Sequence, residues 1–316
     1  MNSVAIVGLG NIGFRHLQAI AQLPDLENIY VIDPDSKINN KLNDINAAAK
    51  IHKFESLSEF INSKPALNLL ISAVPTDIQF EIMPQILTMQ SEVFLFEKPF
   101  AQSKSKYDAI LALLNKNHSQ TYINYQRNMW AGYRRIRDEL SLNKDQKIHL
   151  EVYGNNWGLG CNAIHFIEAF RMITDAQSIS AISAQMEVSR IEHKRGKQYE
   201  EFIGTISFRS ELGHSLQVTS GNFSDASGNV FLTVFQEGLP RFFVDDEAGE
   251  ITDLLTNEKT KHLQSFVSRT TFEFAKAIQV GQQANMLPTV DQARISHFAF
   301  YDALEMALKR NEFLIT

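Results

Sequence analysis

The chain contains 316 residues, of which 44% are hydrophobic and 21% are charged, and its formal net charge is −6. This length exceeds what one ordinary hydrophobic core supports and predicts two domains. The mildly acidic composition argues against nucleic acid or an anionic membrane as a partner, because both attract clustered Lys and Arg. The only cysteine, Cys161, excludes an internal disulfide. No basic leader and no long apolar run is present, so we expect a cytoplasmic protein without a membrane partner.

Short apolar segments separated by amphipathic stretches predict a doubly wound, parallel α/β domain in the first part of the chain. The predicted strands lie at residues 4–7, 29–32, 69–74, 93–96 and 122–125. Their continuous apolar character is typical of strands that are buried on both faces. Pro84 interrupts one helical stretch and predicts either a kink or a late helix start.

A glycine-rich motif, Gly8-Leu9-Gly10-Asn11-Ile12-Gly13, follows the first predicted strand and begins a predicted helix. This order is typical of dinucleotide-binding domains. Gly8 allows a tight turn, Gly10 lets the backbone approach a pyrophosphate, and Gly13 lets the helix pack closely on the strand. The N–H groups at the helix N-terminus, including those of Asn11 and Ile12, are expected to bind the phosphates.

Asp33 ends the second predicted strand, twenty residues after Gly13. Its carboxylate can accept hydrogen bonds from both adenosine ribose hydroxyls and would repel a 2′-phosphate. The sequence therefore favours NAD over NADP as cofactor. The alternative is a glycine-rich turn without a ligand, but strand, helix, spacing and acid all agree with the dinucleotide interpretation.

After residue 146 the hydrophobic pattern changes to period two, along residues 202–209, 215–219 and 230–235. This pattern predicts a mostly antiparallel, open sheet with one covered face and one free face. Two helices are predicted to follow it. We therefore predict a Rossmann domain over residues 1–122 and an α+β domain, for substrate binding and oligomerisation, over residues 123–316.

Three further motifs are Ser72-Ala73-Val74-Pro75-Thr76, Glu97-Lys98-Pro99-Phe100 and a helix start before His165. Together with the glycine motif they make the chain resemble the Gfo/Idh/MocA family, which includes glucose–fructose oxidoreductase and inositol dehydrogenase. The resemblance implies hydride transfer at a carbinol carbon of a sugar, a sugar nucleotide or a cyclic polyol. It also implies a homo-oligomer, a dimer or tetramer, formed through the free sheet face.

Carried onto this sequence, the resemblance implies that Lys98 and His165 are the catalytic residues and that Pro75, Thr76, Glu97 and Lys98 contact the cofactor. His165 suits a general base because the ordinary pKa of histidine, about 6.5, is near neutrality. It lies off the apolar stripe of its predicted helix, as a residue facing a substrate would. The alternative for each catalytic residue is a solvated surface position.

The sequence departs from the family pattern at two positions. Cys161 stands four residues before His165, where many members carry an aspartate, and Gln79 stands where members often carry a histidine. The missing carboxylate motivates an alternative function, a dinucleotide-binding sensor with little catalysis. A metal site on Cys161, His165 and Glu168 is not expected, because tetrahedral zinc needs further Cys or His ligands that are lacking nearby.

Three other residues are candidates for substrate binding. Arg127 can bind an anionic group of the ligand, although an ion pair within the protein is an equal alternative. Trp157 can stack on a sugar face, although core packing is the commoner role of tryptophan. Asn162 can position the substrate by hydrogen bonding.

Overall fold

A computed structural model of the chain describes residues 1–63, 65–143, 145–189, 196–221, 228–261, 267–282 and 286–316. The strands are β1 (Ser3–Val7), β2 (Asn28–Ile32), β3 (Lys50–Phe54), β4 (Leu67–Ser72), β5 (Ser91–Phe96), β6 (Gln120–Ile123), β7 (Ile148–Asn155), β8 (Ile179–Val188), β9 (Phe202–Ser210), β10 (Ser215–Gly221), β11 (Val230–Gln236), β12 (Leu239–Asp245), β13 (Glu250–Asp253) and β14 (Glu258–Lys261). The helices are α1 (Asn11–Ile20), α2 (Ile38–Asn43), α3 (Leu57–Ser63), α4 (Thr76–Ile86), α5 (Lys104–Leu114), α6 (Gln126–Met129), α7 (Ala131–Leu140), α8 (Leu159–Thr174), α9 (Val267–Gln279) and α10 (Val290–Leu308).

The chain divides into two compact units. The first contains Met1–Ala101, Ser105–Gln126 and the described residues between 265 and 291, and the second contains the remainder. The first unit therefore includes α9, which comes from the last fifth of the chain. The boundary at residue 122 stays a prediction, and it did not anticipate this return of the chain to the first unit.

Six parallel strands form the sheet of the first unit, in the order β3-β2-β1-β4-β5-β6. All five predicted strands are present, and β1 and β4 are buried along almost their whole length. The edge strand β3 was not predicted. The late helix start at Pro84 was wrong, because α4 begins at Thr76 and continues through Pro84 to Ile86.

Eight strands form the sheet of the second unit, in the order β14-β13-β12-β11-β7-β10-β9-β8. Only β7 and β10 pair in parallel, and the other neighbouring strands are antiparallel. The predicted fold class is thereby confirmed: a Rossmann-like parallel sheet and a separate, mostly antiparallel open sheet. Among the described residues, no helix has the length and apolarity that crossing a membrane requires.

The two faces of the second sheet differ in burial. Phe202, Ile206 and Phe208 are fully buried on the face against which α8 packs. On the other face, Tyr153 is 42% exposed, and its ring lies 5.5 Å from that of Phe231. This second face thus presents aromatic side chains without a covering helix among the described residues.

Candidate functional site

The glycine loop between β1 and α1 has the close contacts that its motif predicts. Gly8 has a φ of +85°, and a Cβ there would lie 2.7 Å from the side chain of Val74. A Cβ on Gly13 would lie 1.9 Å from the carbonyl oxygen of Gly8. Both positions therefore require glycine, the first for its backbone conformation and the second for the close packing of α1 on the loop.

Gly10 differs from its two neighbours, because a Cβ placed on it would meet no atom within 4 Å. Its φ of −61° is also accessible to any residue. The glycine here is required neither by strain nor by packing within the protein. It leaves an open approach to the N-terminus of α1, whose first residues, Asn11 and Ile12, present N–H groups.

Asp33 lies directly after β2 and is joined to the glycine loop. Its Oδ2 accepts a hydrogen bond of 2.5 Å from the N–H of Leu9, and its Oδ1 accepts one of 2.8 Å from Asp35. Each carboxylate oxygen retains a further lone pair for a ligand. The open side of Gly10, the start of α1 and this oriented carboxylate together fit a dinucleotide with unmodified ribose hydroxyls.

Lys98 follows β5 at the carboxyl end of the parallel sheet, where α/β proteins bind ligands. Its residue exposure is 8%, so the solvated alternative does not describe it. The turn that carries it is supported by α4: the hydroxyl of Thr76 donates to the carbonyl of Pro99 at 2.9 Å, and Gln79 donates to that of Phe100 at 3.0 Å. Thr76 and Gln79 thus connect the start of α4 to the Glu97-Lys98-Pro99-Phe100 motif, and Pro75 occupies the N-cap position of the same helix.

Glu97, the residue before Lys98, is held by two buried side chains. Its Oε1 is 3.0 Å from Nε2 of His16 and accepts a 2.6 Å hydrogen bond from Asn124. Burial by itself would raise the pKa of Glu97, but the hydrogen bonds from His16 and Asn124 and the charge of Lys98 together lower it. Glu97 is therefore ionised at neutral pH. His16 was not predicted as a site residue, although it shares the buried face of α1 with Gly13 and Ile20.

His165 lies in α8 and is 7% exposed. His165 is therefore not a solvated surface residue. The expected apolar stripe with a polar face beside it is also absent, because every residue from Ala163 to Phe170 is buried. The next turn contains Glu168, which is fully buried and bound by Arg171 at 2.7 Å, by Asn128 at 3.1 Å and by Ser296. That carboxylate is already neutralised by partners within the second unit.

The start of α8 is built by three residues. The side chain of Asn162 donates to the carbonyl of Trp157 at 3.0 Å, and the indole N–H of Trp157 donates to Thr219 at 2.9 Å. Trp157 is 7% exposed and packs edge-on against Phe166. Glu201, which was not predicted as a site residue, accepts a hydrogen bond from the N–H of Gly160 and so places a carboxylate at the helix N-terminus.

Arg127 is engaged within the second unit. Its Nε donates to Asp246 at 3.3 Å, with a second ion-pair contact to the same carboxylate, and its guanidinium lies 4.2 Å from the ring centre of Phe166. Burial by itself would lower the pKa of Arg127, but Asp246 and Tyr133 raise it. This arrangement is the ion pair that the sequence analysis gave as the alternative, while substrate binding by Arg127, Asn162 and Trp157 stays a prediction.

Comparison with known proteins supports the resemblance seen in the motifs. Residues 2–125 match GFO_IDH_MocA, described as "Oxidoreductase family, NAD-binding Rossmann fold". None of the curated proteins matches the sequence.

Solved structures match nearly the whole chain. A myo-inositol dehydrogenase from Lactobacillus casei in complex with NAD(H) and myo-inositol has a TM-score of 0.72 at 15% identity, over 100% of this chain and 97% of its own. GenD2 from gentamicin A biosynthesis, in complex with NAD, has a TM-score of 0.74 at 16% identity, over 97% and 94%. A myo-inositol dehydrogenase from Corynebacterium glutamicum ATCC 13032 has a TM-score of 0.69 at 15% identity, over 98% and 97%. At these identities the similarity establishes the fold alone.

Proposed function

We propose that this protein, whose residues 2–125 match the Gfo/Idh/MocA family of NAD-binding oxidoreductases, is an NAD-dependent dehydrogenase. Its substrate is a sugar, a sugar nucleotide or a cyclic polyol, which is oxidised or formed at a carbinol carbon. The observation that carries the proposal is the glycine loop, in which Gly10 is open toward the start of α1 and Asp33 is held beside it by Leu9.

Different residues of the glycine loop and of the end of β2 are proposed to bind different parts of the cofactor. The N–H groups of Asn11 and Ile12 and the positive end of the α1 dipole bind the diphosphate. Asp33 accepts hydrogen bonds from the adenosine ribose and disfavours a 2′-phosphate by charge repulsion. Bound NAD⁺ supplies a hydride acceptor, and NADH a hydride donor, for the carbon of the substrate.

The protein residues handle the proton and the charge on oxygen. When the alcohol is oxidised, Nε2 or Nδ1 of His165 accepts the hydroxyl proton. The ammonium of Lys98 stabilises the negative charge that develops on the same oxygen. In the reverse direction the protonated imidazole returns its proton to the carbonyl oxygen. Arg127, Asn162 and Trp157 are the proposed contacts to the rest of the substrate.

The substrate class has support from two sources. The Glu97-Lys98-Pro99 motif resembles that of carbohydrate oxidoreductases, and two of the structural neighbours are myo-inositol dehydrogenases. Both sources indicate a polyhydroxylated ring, which needs several hydrogen-bonding contacts in addition to the reacting hydroxyl.

The catalytic roles are tested by replacing His165. We expect His165→Asn to lower turnover by about 10²–10⁴ while NADH still binds, because general acid–base catalysis is lost and the cofactor loop is untouched. Turnover is followed by the absorbance of NADH with a panel of sugars, nucleotide sugars and inositols, and binding by NADH fluorescence. The control is His118→Asn, since His118 is an exposed histidine that follows α5. Turnover equal to wild type in His165→Asn would rule out the base assignment.

The same panel separates the enzyme from the sensor. The absence of a carboxylate at Cys161 favours the sensor, and NADH binding without turnover of any panel member would support it. If neither NAD nor NADP binds, both the dehydrogenase and the sensor interpretations are wrong.

A further inference from the structure

A series of hydrogen-bonded side chains joins helix α9 to the Glu97-Lys98 turn. Nδ1 of His16 lies 2.8 Å from the hydroxyl of Thr271, and its Nε2 lies 3.0 Å from Oε1 of Glu97. His16 is 0% and Thr271 1% exposed. All three residues belong to the first unit, in which α1 packs against α9. Both ring nitrogens of His16 are therefore used, one on each side.

The partners decide which nitrogen carries the proton. A carboxylate can only accept, so Nε2 of His16 must be the donor to Glu97. The hydroxyl of Thr271 can then donate to Nδ1 and keep the imidazole in this one tautomer. A second oriented donor, Asn124, completes the set around Oε1 of Glu97.

The need to fill space in the core does not by itself explain a buried histidine paired with a glutamate. Burying a carboxylate and an imidazole costs desolvation free energy, and apolar residues of similar volume fill such a space at least as well. Buried titratable groups beside a motif residue are typical of sites in which a charge must be held in place. Here the charge is held directly next to Lys98.

We propose that His16 is a positioning residue of the dehydrogenase reaction, which orients the Glu97-Lys98 turn through its hydrogen bond to Glu97, and that Thr271 of α9 fixes the tautomer of His16. This inference rests on the proposed role of Lys98. Neither His16 nor Thr271 touches substrate in this scheme. Their effect reaches the substrate only through the orientation and charge of Glu97.

Two amide substitutions of His16 form a matched pair. Glutamine places its N–H₂ near the position of Nε2 and keeps a donor for Glu97, whereas asparagine ends near the position of Nδ1 and leaves Glu97 without that donor. We expect His16→Asn to lower kcat by roughly 10- to 100-fold, the range for loss of a residue that orients a functional group. We expect His16→Gln to restore most of that loss and NADH affinity to change little in either variant.

The pH profile distinguishes positioning from a general loss of structure. Among the described residues, the titratable groups that act on Glu97 are His16 of α1 and Lys98, the next residue after Glu97. The other two side chains of the arrangement, Asn124 and Thr271, are neutral. Removing the His16 donor raises the pKa of Glu97, so this carboxylate becomes protonated at higher pH. The titration of the Glu97 carboxylate, followed by the ¹³C chemical shift of its side chain, should therefore move to higher pH in His16→Asn and return toward wild type in His16→Gln.

The tautomer is measured without any substrate or cofactor. In the protein with ¹⁵N-labelled histidine, long-range ¹H–¹⁵N spectra should show His16 as the Nε2–H tautomer, and Thr271→Val should disturb this signal while Thr271→Ser preserves it. Equal kcat losses in the two His16 variants with an unmoved Glu97 titration, or a His16 signal of the Nδ1–H tautomer, would overturn the inference. If wild type turns over no compound, the proposed function fails, whereas the histidine spectra still decide the Thr271–His16–Glu97 arrangement.

Discussion

At the scale of single residues, Asp33 does two things at once. It holds the glycine loop through Leu9, and it presents a negative charge where the ribose of the cofactor is proposed to bind. A hydrogen bond to a charged group contributes about 1.5–3 kcal/mol, so its loss is large enough to measure in binding. Its neighbour Asp35 has a different task, because its Oδ1 accepts the N–H of Lys37 in the following turn.

Replacing Asp33 tests cofactor choice. We expect Asp33→Asn to weaken NADH binding roughly 10- to 100-fold, since about 1.4 kcal/mol corresponds to a factor of ten. The same change should narrow the difference between NADH and NADPH, because the charge that repels a 2′-phosphate is gone. Fluorescence titration with both cofactors measures the two effects. Asp35→Asn is the control, and an unchanged NADH/NADPH ratio in Asp33→Asn would contradict the assignment.

Local motifs such as the one from Gly8 to Gly13 are predictable because their residues are neighbours along the chain. Residue type and spacing are then sufficient to recognise the motif. The His16–Glu97–Thr271 arrangement is not, because it depends on long-range packing of α1, the end of β5 and α9. The signal that was available is a histidine on the buried face of a helix. A single polar residue in that position predicts a buried partner but does not identify it.

At the scale of elements, the start of α1 depends on two glycines for different reasons. Gly13 is required for the packing of the helix on the loop, whereas Gly10 is required by nothing within the described protein. If the open side of Gly10 is where the diphosphate binds, the two positions must respond differently to the same added methyl group.

Alanine substitutions test this difference. Gly13→Ala should destabilise the fold by about 1–3 kcal/mol, because the new Cβ overlaps the Gly8 carbonyl. Gly10→Ala should leave the free energy of unfolding within about 1 kcal/mol of wild type and still weaken NADH binding. Thermal unfolding and NADH titration of both variants provide the measurements. Wild-type NADH affinity in Gly10→Ala would mean that the cofactor does not approach this residue.

The edge strand β3 is an element that the hydrophobic pattern of the sequence did not predict. Its sequence, Lys-Ile-His-Lys-Phe, has no continuous apolar run, and none of its five residues is fully buried. An edge strand pairs with a neighbour on one side only, so it needs less apolar surface than the central strands. In α8 the expected polar face is absent among residues 163–170, and Glu168 can be buried there because Arg171 pairs with its carboxylate.

At the scale of the whole molecule, the uncovered face of the second sheet carries a group of neighbouring aromatic side chains. Phe231 lies 5.7 Å from Phe243 in a stacked arrangement and 5.5 Å from Tyr153. A patch of aromatic residues on an otherwise polar sheet face is typical of an association surface. The predicted homo-oligomer would bury this patch against the same patch of a second copy.

The predicted oligomer is tested by introducing one charged side chain into the aromatic patch. We expect the wild-type protein to be a dimer or tetramer by light scattering, and Phe231→Lys to shift it to a smaller species with an unchanged circular dichroism spectrum. Leu255→Lys is the control, because Leu255 is 69% exposed in the turn between β13 and β14. A wild-type monomer would contradict this prediction and leave the cofactor site as proposed.

The position of α9 has a consequence for biosynthesis. Because this helix packs on α1 but follows residues 127–261, the ribosome must synthesise almost the whole second unit before the first can be completed. Until then, the face of α1 that packs on α9 is uncovered, and His16 can contact Glu97 but not Thr271. The dinucleotide-binding unit, although it begins at the first residue, is thus among the last parts of the protein to acquire its final structure.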